Sequence, residues 1–435
     1  MQKTPALIFA DKNGQIYDHP TLLMVCRRGE QWGLPKNDEL LPMPAESELF
    51  LLPERTAVGF NPQTNSLEEV PDSFAVGVHP APAHTISAHP CYQRQKNAPI
   101  LPLFAYAAVG FANNHFYVTC TLVDNDPRQR FAKIPCQKIA NQARHLLRQH
   151  PKNRLLAHII NNCVTRYNCP AARNFALGRF EAPLPTSRTC PAKCLGCISK
   201  QEQNSEIKTT PQSRLTFTPT AEEICEIMRI HSSRETKTPI YSFGQGCEGD
   251  PLTNSDLLVD SIGRFRQQGG HGTINCNTNG AYTETLPSLK RAGLTSLRIS
   301  LNSARKELYT AYYRPIGYDF TDVRATLIRA RELNLYTSLN LLFFPGLTDT
   351  EIELSALANL CTECGISMIQ WRNLNIDPEW YYKLMCDHSP DEINPCMGLS
   401  MFMHRLHTLC PWLRFGYFNP YLGDHAEISA PMPKK

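Results

Sequence analysis

The chain has 435 residues, 42 % of them hydrophobic and 19 % charged, with a formal net charge of +4. Its length exceeds the ~250–300 residues at which a single core stops growing, and its composition excludes a disordered chain. The mild charge makes a nucleic-acid partner a poor expectation, and no window reaches the ~18–20 uninterrupted apolar residues of a membrane span.

The opening residues, MQKTPALIFADKNG, lack the apolar stretch of a signal peptide, so a cytoplasmic location is expected. In a reducing compartment the 17 cysteines are not a disulfide framework; some should bind metal, and most should be small buried residues. The 34 prolines predict long ordered loops.

Residues 1–130 read as a β-rich module. Two strand-forming runs, ILPLFAYAAVGF and HFYVTCTLV, flank a polar turn at Asn113-Asn114 and predict a hairpin. The stretch from Val70 to Gln93 is rich in Pro, His and Ala, shows no periodicity, and reads as a loop. Over 131–175 the texture changes: Ile139, Ala143, Leu146 and Leu147, then Leu155, Ile159 and Ile160, repeat at helical spacing and predict a helical bridge.

Over 176–385 strands and helices alternate. A short strand runs to Leu184, and Thr220-Ala-Glu-Glu223 is a capping box opening a helix. Strands PIYSF, TINCNT, SLRISL, YTSLNLLF and SMIQWR then alternate with helices that end at Gly or Asn. Six apolar strands separated by helices predict an α/β fold, a partial (β/α)6 TIM-like barrel with its site at the strands' C-terminal ends. Residues 386–435 form a C-terminal extension.

Directly after the first strand stands Cys190-Pro-Ala-Lys-Cys194-Leu-Gly-Cys197. Three thiolates on a supple loop can converge on one metal centre, and no fourth ligand is evident nearby. An iron–sulfur cluster held by three cysteines keeps one iron open, which is what binding a small molecule to a cluster requires.

A C-x3-C-x2-C loop at this point of an α/β barrel resembles the radical S-adenosylmethionine (radical SAM) superfamily. The resemblance implies a [4Fe–4S] cluster on Cys190, Cys194 and Cys197, with S-adenosylmethionine bound through its amino and carboxylate groups at the open iron. Reductive cleavage of that cofactor then gives a 5′-deoxyadenosyl radical that abstracts hydrogen from substrate.

Further motifs follow in order at successive strand ends. Gly249-Asp250-Pro251 is similar to the family's Gly-Glu-Pro region facing the cofactor's ammonium, with Asp250 where Glu is usual and Glu248 as the alternative. Asn277-Thr-Asn279-Gly280 resembles its Thr-Asn-Gly turn, and Ser300 and Asn302 fall where ribose and carboxylate are met. Gly346 lies in a matching Pro-Gly-Leu-Thr-Asp strand end, and Gln370 to Asn375 fall near the adenine. Gly196 departs from the family, where an aromatic residue precedes the third Cys, so Ile198 or Phe243 is expected to supply that contact.

The resemblance also implies a flavodoxin- or ferredoxin-type reductant. The substrate is open between a small metabolite or cofactor precursor and a peptide, RNA being poorly supported by the charge. A competing reading is an iron–sulfur electron-transfer or cluster-carrier protein, which needs a fourth protein ligand. Among the other candidates, His79, His84, His89 and Cys91 match no metal motif and read as a packed loop. Cys163 and Cys169 read as buried thiols, the alternative being an auxiliary cluster shared with Cys386, Cys396 or Cys410. Cys361 and Cys364 share an apolar helix face and read as core, and Tyr309, Tyr312, Tyr313 and Arg314 as core or the substrate mouth. The β-rich module is expected to pack on the barrel and contribute to substrate access.

Overall fold

The computed structural model describes residues 4–389 and 395–423. The expected C-terminal extension therefore lies partly outside the described residues, at 390–394 and from 424 onward.

The N-terminal module is antiparallel β. Its larger sheet has eleven strands, with Ala6–Ala10 between Ile16–Leu23 and Val109–Ala112. The expected hairpin is present. Val109–Ala112 pairs with His115–Leu122 around Asn113 and Asn114, both at positive φ, the backbone a tight two-residue hairpin requires. Ile8, Val76, Val78, Val109 and Val118 alternate inward and bury one face. The stretch from Val70 to Gln93 is not a loop: it holds Phe74–His79, His84–Ile86, His89–Pro90 and the start of Tyr92–Arg94. All but the first are two or three residues long and pair with strands distant in sequence, so no local period marks them.

The bridge consists of the helix Cys136–Gln149, a short helix Arg154–His158 that runs into a π-helix Ile159–Arg166, and the helix Pro170–Ala176.

Beyond it lie parallel strands in chain order: Glu181–Leu184, Ile240–Phe243, Thr273–Thr278, Ser296–Leu301, Tyr336–Phe343 and Met368–Asn373. Helices between them, such as Ala221–Arg234, Ser255–Gln267 and Glu351–Cys364, cover the outside, the arrangement of a partial barrel. The Thr220–Glu223 capping box forms as read. A seventh strand, Arg414–Gly416, adds in parallel to the sixth, so the sheet has seven strands where six were expected. At three residues it is too short to carry a pattern.

The module is docked on the barrel by buried polar contacts. Arg55 donates to Asp377 at 2.7 Å with both side chains fully buried, and the Leu101 amide donates to the same carboxylate. The Asn373 side chain accepts from the Ile86 amide and donates to the His84 carbonyl. Such contacts stabilise only where geometry is fixed, so the two units meet in one defined orientation.

Candidate active site

The first barrel strand leads into an irregular segment, 185–219, that carries the cysteines. Backbone bonds fix it from two sides. The amides of Lys193 and Leu195 donate to the carbonyls of Tyr313 and Tyr312, and Ile316 donates to Pro191. On the other side the amides of Gly249 and Asp250 donate to the carbonyls of Ser187 and Thr189, at 2.7 and 2.8 Å. That approach demands glycine, since a Cβ on residue 249 would sit 1.9 Å from the Thr189 oxygen.

Cys190, Cys194 and Cys197 all line one cavity of about 630 Å³, together with Gly249, Asp250, Pro251, Asn279 and Ser300. Asn279 donates toward Cys190 Sγ at 3.7 Å, and the Arg214 guanidinium lies 3.3 Å from Cys197 Sγ. Burial pushes the Cys190 thiol up to about 11, with Asp250 adding to the shift and Arg214 opposing it. Cys194 is raised further, by burial and then by its two neighbouring cysteines. Such thiols ionise when a metal takes the proton's place.

The residues fit a polynuclear cluster. All three loop thiols line the one cavity, which suits a cluster whose ligands each bind a different iron.

Two expected cofactor residues fall elsewhere. Asn302 is buried outside the cavity, donating to the Leu308 carbonyl and to Tyr381. The strand ends at Leu301, so the alternation that points Ser300 into the cavity does not carry on to residue 302. Gly346 packs on the module: a Cβ there would lie 2.3 Å from the Gly29 nitrogen, and its φ is +89°.

The carboxylates are also committed internally. Asp250 accepts from the Leu252 amide, the Thr278 hydroxyl and the Asn279 amide, at 2.7–2.9 Å. Glu248 accepts from four backbone amides, those of Thr186, Ser187, Gly244 and Gln245. Burial drives Glu248 up to about 7 against those donors. Both side chains shape the cavity wall rather than facing into it with free oxygens.

Tyr312 fills the room left by Gly196, its hydroxyl 2.7 Å from where a Cβ would stand, and its ring lines the cavity with Tyr313. Ile198 reaches the cavity; Phe243 is buried in the core and does not. Arg298 and Arg372 also line the cavity. Arg298 donates to Gln370 at 2.6 Å, and Gln370 donates to Asn419, which donates in turn to Glu181. Arg372 lies 3.6 Å over the Tyr417 ring centre. The Nε atoms of both arginines are buried without a partner, and burial, with Arg372 nearby, lowers Arg298 to about 9. Alternation along their strands could have found Arg298 and Arg372; Arg214, in an irregular segment, carries no sequence signal. His79, Pro80 and Pro82 of the N-terminal module close the cavity's edge.

The auxiliary-cluster grouping is not formed. Cys396 lies near Gln31 and Cys410 near Thr362, whereas Cys163 meets Cys247. Cys361 and Cys364 are fully buried core, as read. Among the described residues no helix is long and apolar enough to cross a membrane.

Residues 184–357 match the Radical SAM superfamily. The molybdenum cofactor biosynthesis protein 1 of Bos taurus is 29 % identical over 181 residues, 41 % of this chain and 26 % of that protein. The GTP 3′,8-cyclase of Aquifex aeolicus (strain VF5) is 26 % identical over 225 residues, 50 % of this chain and 65 % of that one. The chain thus spans less than two thirds of either relative. Among solved structures, the FeFe-hydrogenase maturase HydG from Carboxydothermus hydrogenoformans aligns with a TM-score of 0.36 at 14 % identity, covering 64 % of this chain and 76 % of that one. The matched segment, residues 184–357, holds the cysteine loop and the second to fifth barrel strands, and it is a radical SAM segment, of the kind found in enzymes that use a [4Fe–4S] cluster and S-adenosylmethionine.

Proposed function

We propose that this protein cleaves S-adenosylmethionine reductively and uses the resulting radical on a small anionic substrate. The observation that carries the reading is one cavity lined both by three cysteine thiols and by Arg298 and Arg372. When bound at Cys190, Cys194 and Cys197, the cluster supplies the electron that breaks the cofactor's sulfur–carbon bond to give a 5′-deoxyadenosyl radical.

The chain's own part is positioning. Asp250 and Glu248 hold the turns that carry Asn279 and Gly244, while Tyr312 and Tyr313 cover the cysteine loop. Ser300 and Asn279 offer polar groups to the cofactor from adjacent strands. Arg298 and Arg372 place two positive charges on the cavity lining, where a substrate carboxylate or phosphate can be met. The relative named for GTP, a polyanion, accords with that preference. Enclosure by the N-terminal module favours a small molecule over a folded protein. A flavodoxin- or ferredoxin-type donor in a reducing cytoplasm would provide the electron.

Reconstitution with iron and sulfide without oxygen should give one [4Fe–4S] centre at the loop, lost on Cys190→Ala, Cys194→Ala or Cys197→Ala. Its electron paramagnetic resonance should change when S-adenosylmethionine is added. Cys169 also lines the cavity, which offers the carrier reading a fourth cysteine ligand there. A centre insensitive to S-adenosylmethionine, and dismantled by Cys169→Ala, would decide for the carrier. For the substrate wall, inorganic pyrophosphate should raise the Tm of the wild type and leave the Arg298→Met/Arg372→Met protein unmoved. Equal shifts in both would remove the arginines from substrate binding.

A further inference from the structure

We infer that the helical bridge and the loop after the second barrel strand share a second metal site, a thiolate–imidazole centre for a soft divalent cation such as Zn²⁺. Its donors are His158, Cys163 and Cys247, whose ligand atoms all lie within 4.8 Å of one another.

Three observations converge on these residues. The Sγ atoms of Cys163 and Cys247 are 3.7 Å apart. Two thiolates on one tetrahedral zinc at ~2.3 Å stand about 3.8 Å apart, so little movement is needed to admit the ion. His158 Nε2 is buried with no hydrogen bond of good geometry, and the group it faces closely is the Cys247 thiol, a fellow donor of the proposed site. Finally, Cys163 lies in the π-helix Ile159–Arg166, which begins directly after His158. Residues five apart diverge on an α-helix but stack in a π-helix, whose bonds run from i to i+5, so this uncommon geometry sets His158 and Cys163 on one face.

Supporting groups are present. Asn162 lies 3.1 Å from His158 Nδ1 and, with its amide oxygen turned inward, can accept from Nδ1–H and hold the ring. Cys169 is tied to the same segment, its amide donating to the Cys163 carbonyl at 2.8 Å. Cys163 and Cys247 are 4 % and 5 % exposed, and the site lies behind Gly246 and Glu248, which line the main cavity. A bound ion would tie the bridge to the loop that shapes the cofactor wall, two segments otherwise 84 residues apart in the chain.

The test uses the full chain carrying Cys190→Ala, Cys194→Ala and Cys197→Ala, so that no loop cluster contributes metal. Equilibrated with Zn²⁺ and freed of excess, this protein should retain one Zn²⁺ per chain, and Co²⁺ in its place should give thiolate-to-cobalt charge-transfer absorption. Adding His158→Gln or Cys247→Ser should weaken Zn²⁺ binding at least tenfold, measured in a zinc buffer on protein that still melts cooperatively. If the triple variant fails to fold, zinc analysis of reconstituted wild type beside its His158→Gln variant reads the same quantity. Absence of zinc from folded protein, or undiminished binding by the His158→Gln and Cys247→Ser proteins, overturns the site. So does uptake of iron with sulfide at these residues, which would make it a cluster rather than a single ion.

Discussion

Replacing Asp250 by Ala separates two roles that its position allows. If the carboxylate were a direct partner of the cofactor's ammonium, its loss would weaken S-adenosylmethionine binding and leave the fold untouched. The geometry gives it another task. It accepts from the amides of Leu252 and Asn279 and from the Thr278 hydroxyl, and it is 4 % exposed. Truncation strands two buried amides, each costing about 1–3 kcal/mol when left unpaired; the hydroxyl can turn elsewhere and costs less. Removing a buried carboxylate, whose pKa burial raises, returns part of that loss. The net destabilisation should be about 3–5 kcal/mol. With a urea dependence near ~3 kcal/mol per molar, the unfolding midpoint should fall by about 1–1.7 M. The released turn carries Asn279 away from Cys190, so cofactor affinity should fall as a consequence of the disorder. Urea denaturation followed by circular dichroism, with equilibrium dialysis of the cofactor, measures both. An unchanged midpoint with lost cofactor binding would refute the positioning role.

Three further outcomes follow from buried groups elsewhere. Asp377→Ala leaves Arg55 charged and buried without its partner, so it should cost about 3–5 kcal/mol and let protease cut between the module and the barrel; wild-type resistance in this variant would show that the module is held by other contacts. His231 is fully buried and burial lowers its pKa from 6.5 to about 4, so the neutral ring contributes stability that is complete above pH 6.5 and is lost as pH falls toward 4. At 1.36 kcal/mol per pH unit the stability gap between wild type and His231→Leu should close by roughly 2–3 kcal/mol between pH 7 and pH 4.5, and a gap constant with pH would contradict the buried neutral form. Cys169→Ala should leave the loop cluster intact, read from its iron and sulfide content, and loss of that cluster would name Cys169 as its fourth ligand.

Much of the barrel was legible because its signals are local. Apolar runs such as TINCNT and YTSLNLLF, the Thr220 capping box and the stop at Gly293, which has a φ of +118°, each act within a few residues. The cysteine loop was legible for the same reason. What stayed hidden depends on pairing across the chain. His84–Ile86 and Arg414–Gly416 are strands only because distant partners complete them. Asn302 follows Ser300 by two residues and matches the same motif, yet the strand has ended and its side chain turns to Tyr381. Asp250 could be singled out from its motif, but sequence cannot say that Thr278 and the amides of Leu252 and Asn279 donate to its oxygens. Cys163 was singled out, but its companion Cys247 is supplied by the fold.

The central claim is that the cysteine loop holds a cluster with one iron reserved for S-adenosylmethionine. Its most direct test is the formation of 5′-deoxyadenosine by the reconstituted protein with S-adenosylmethionine and dithionite in the absence of oxygen. The wild type should release 5′-deoxyadenosine, slowly when no substrate is present, and the Cys190→Ala, Cys194→Ala and Cys197→Ala proteins should release none. A wild type that carries its full cluster, accepts an electron and leaves S-adenosylmethionine uncleaved would contradict the account.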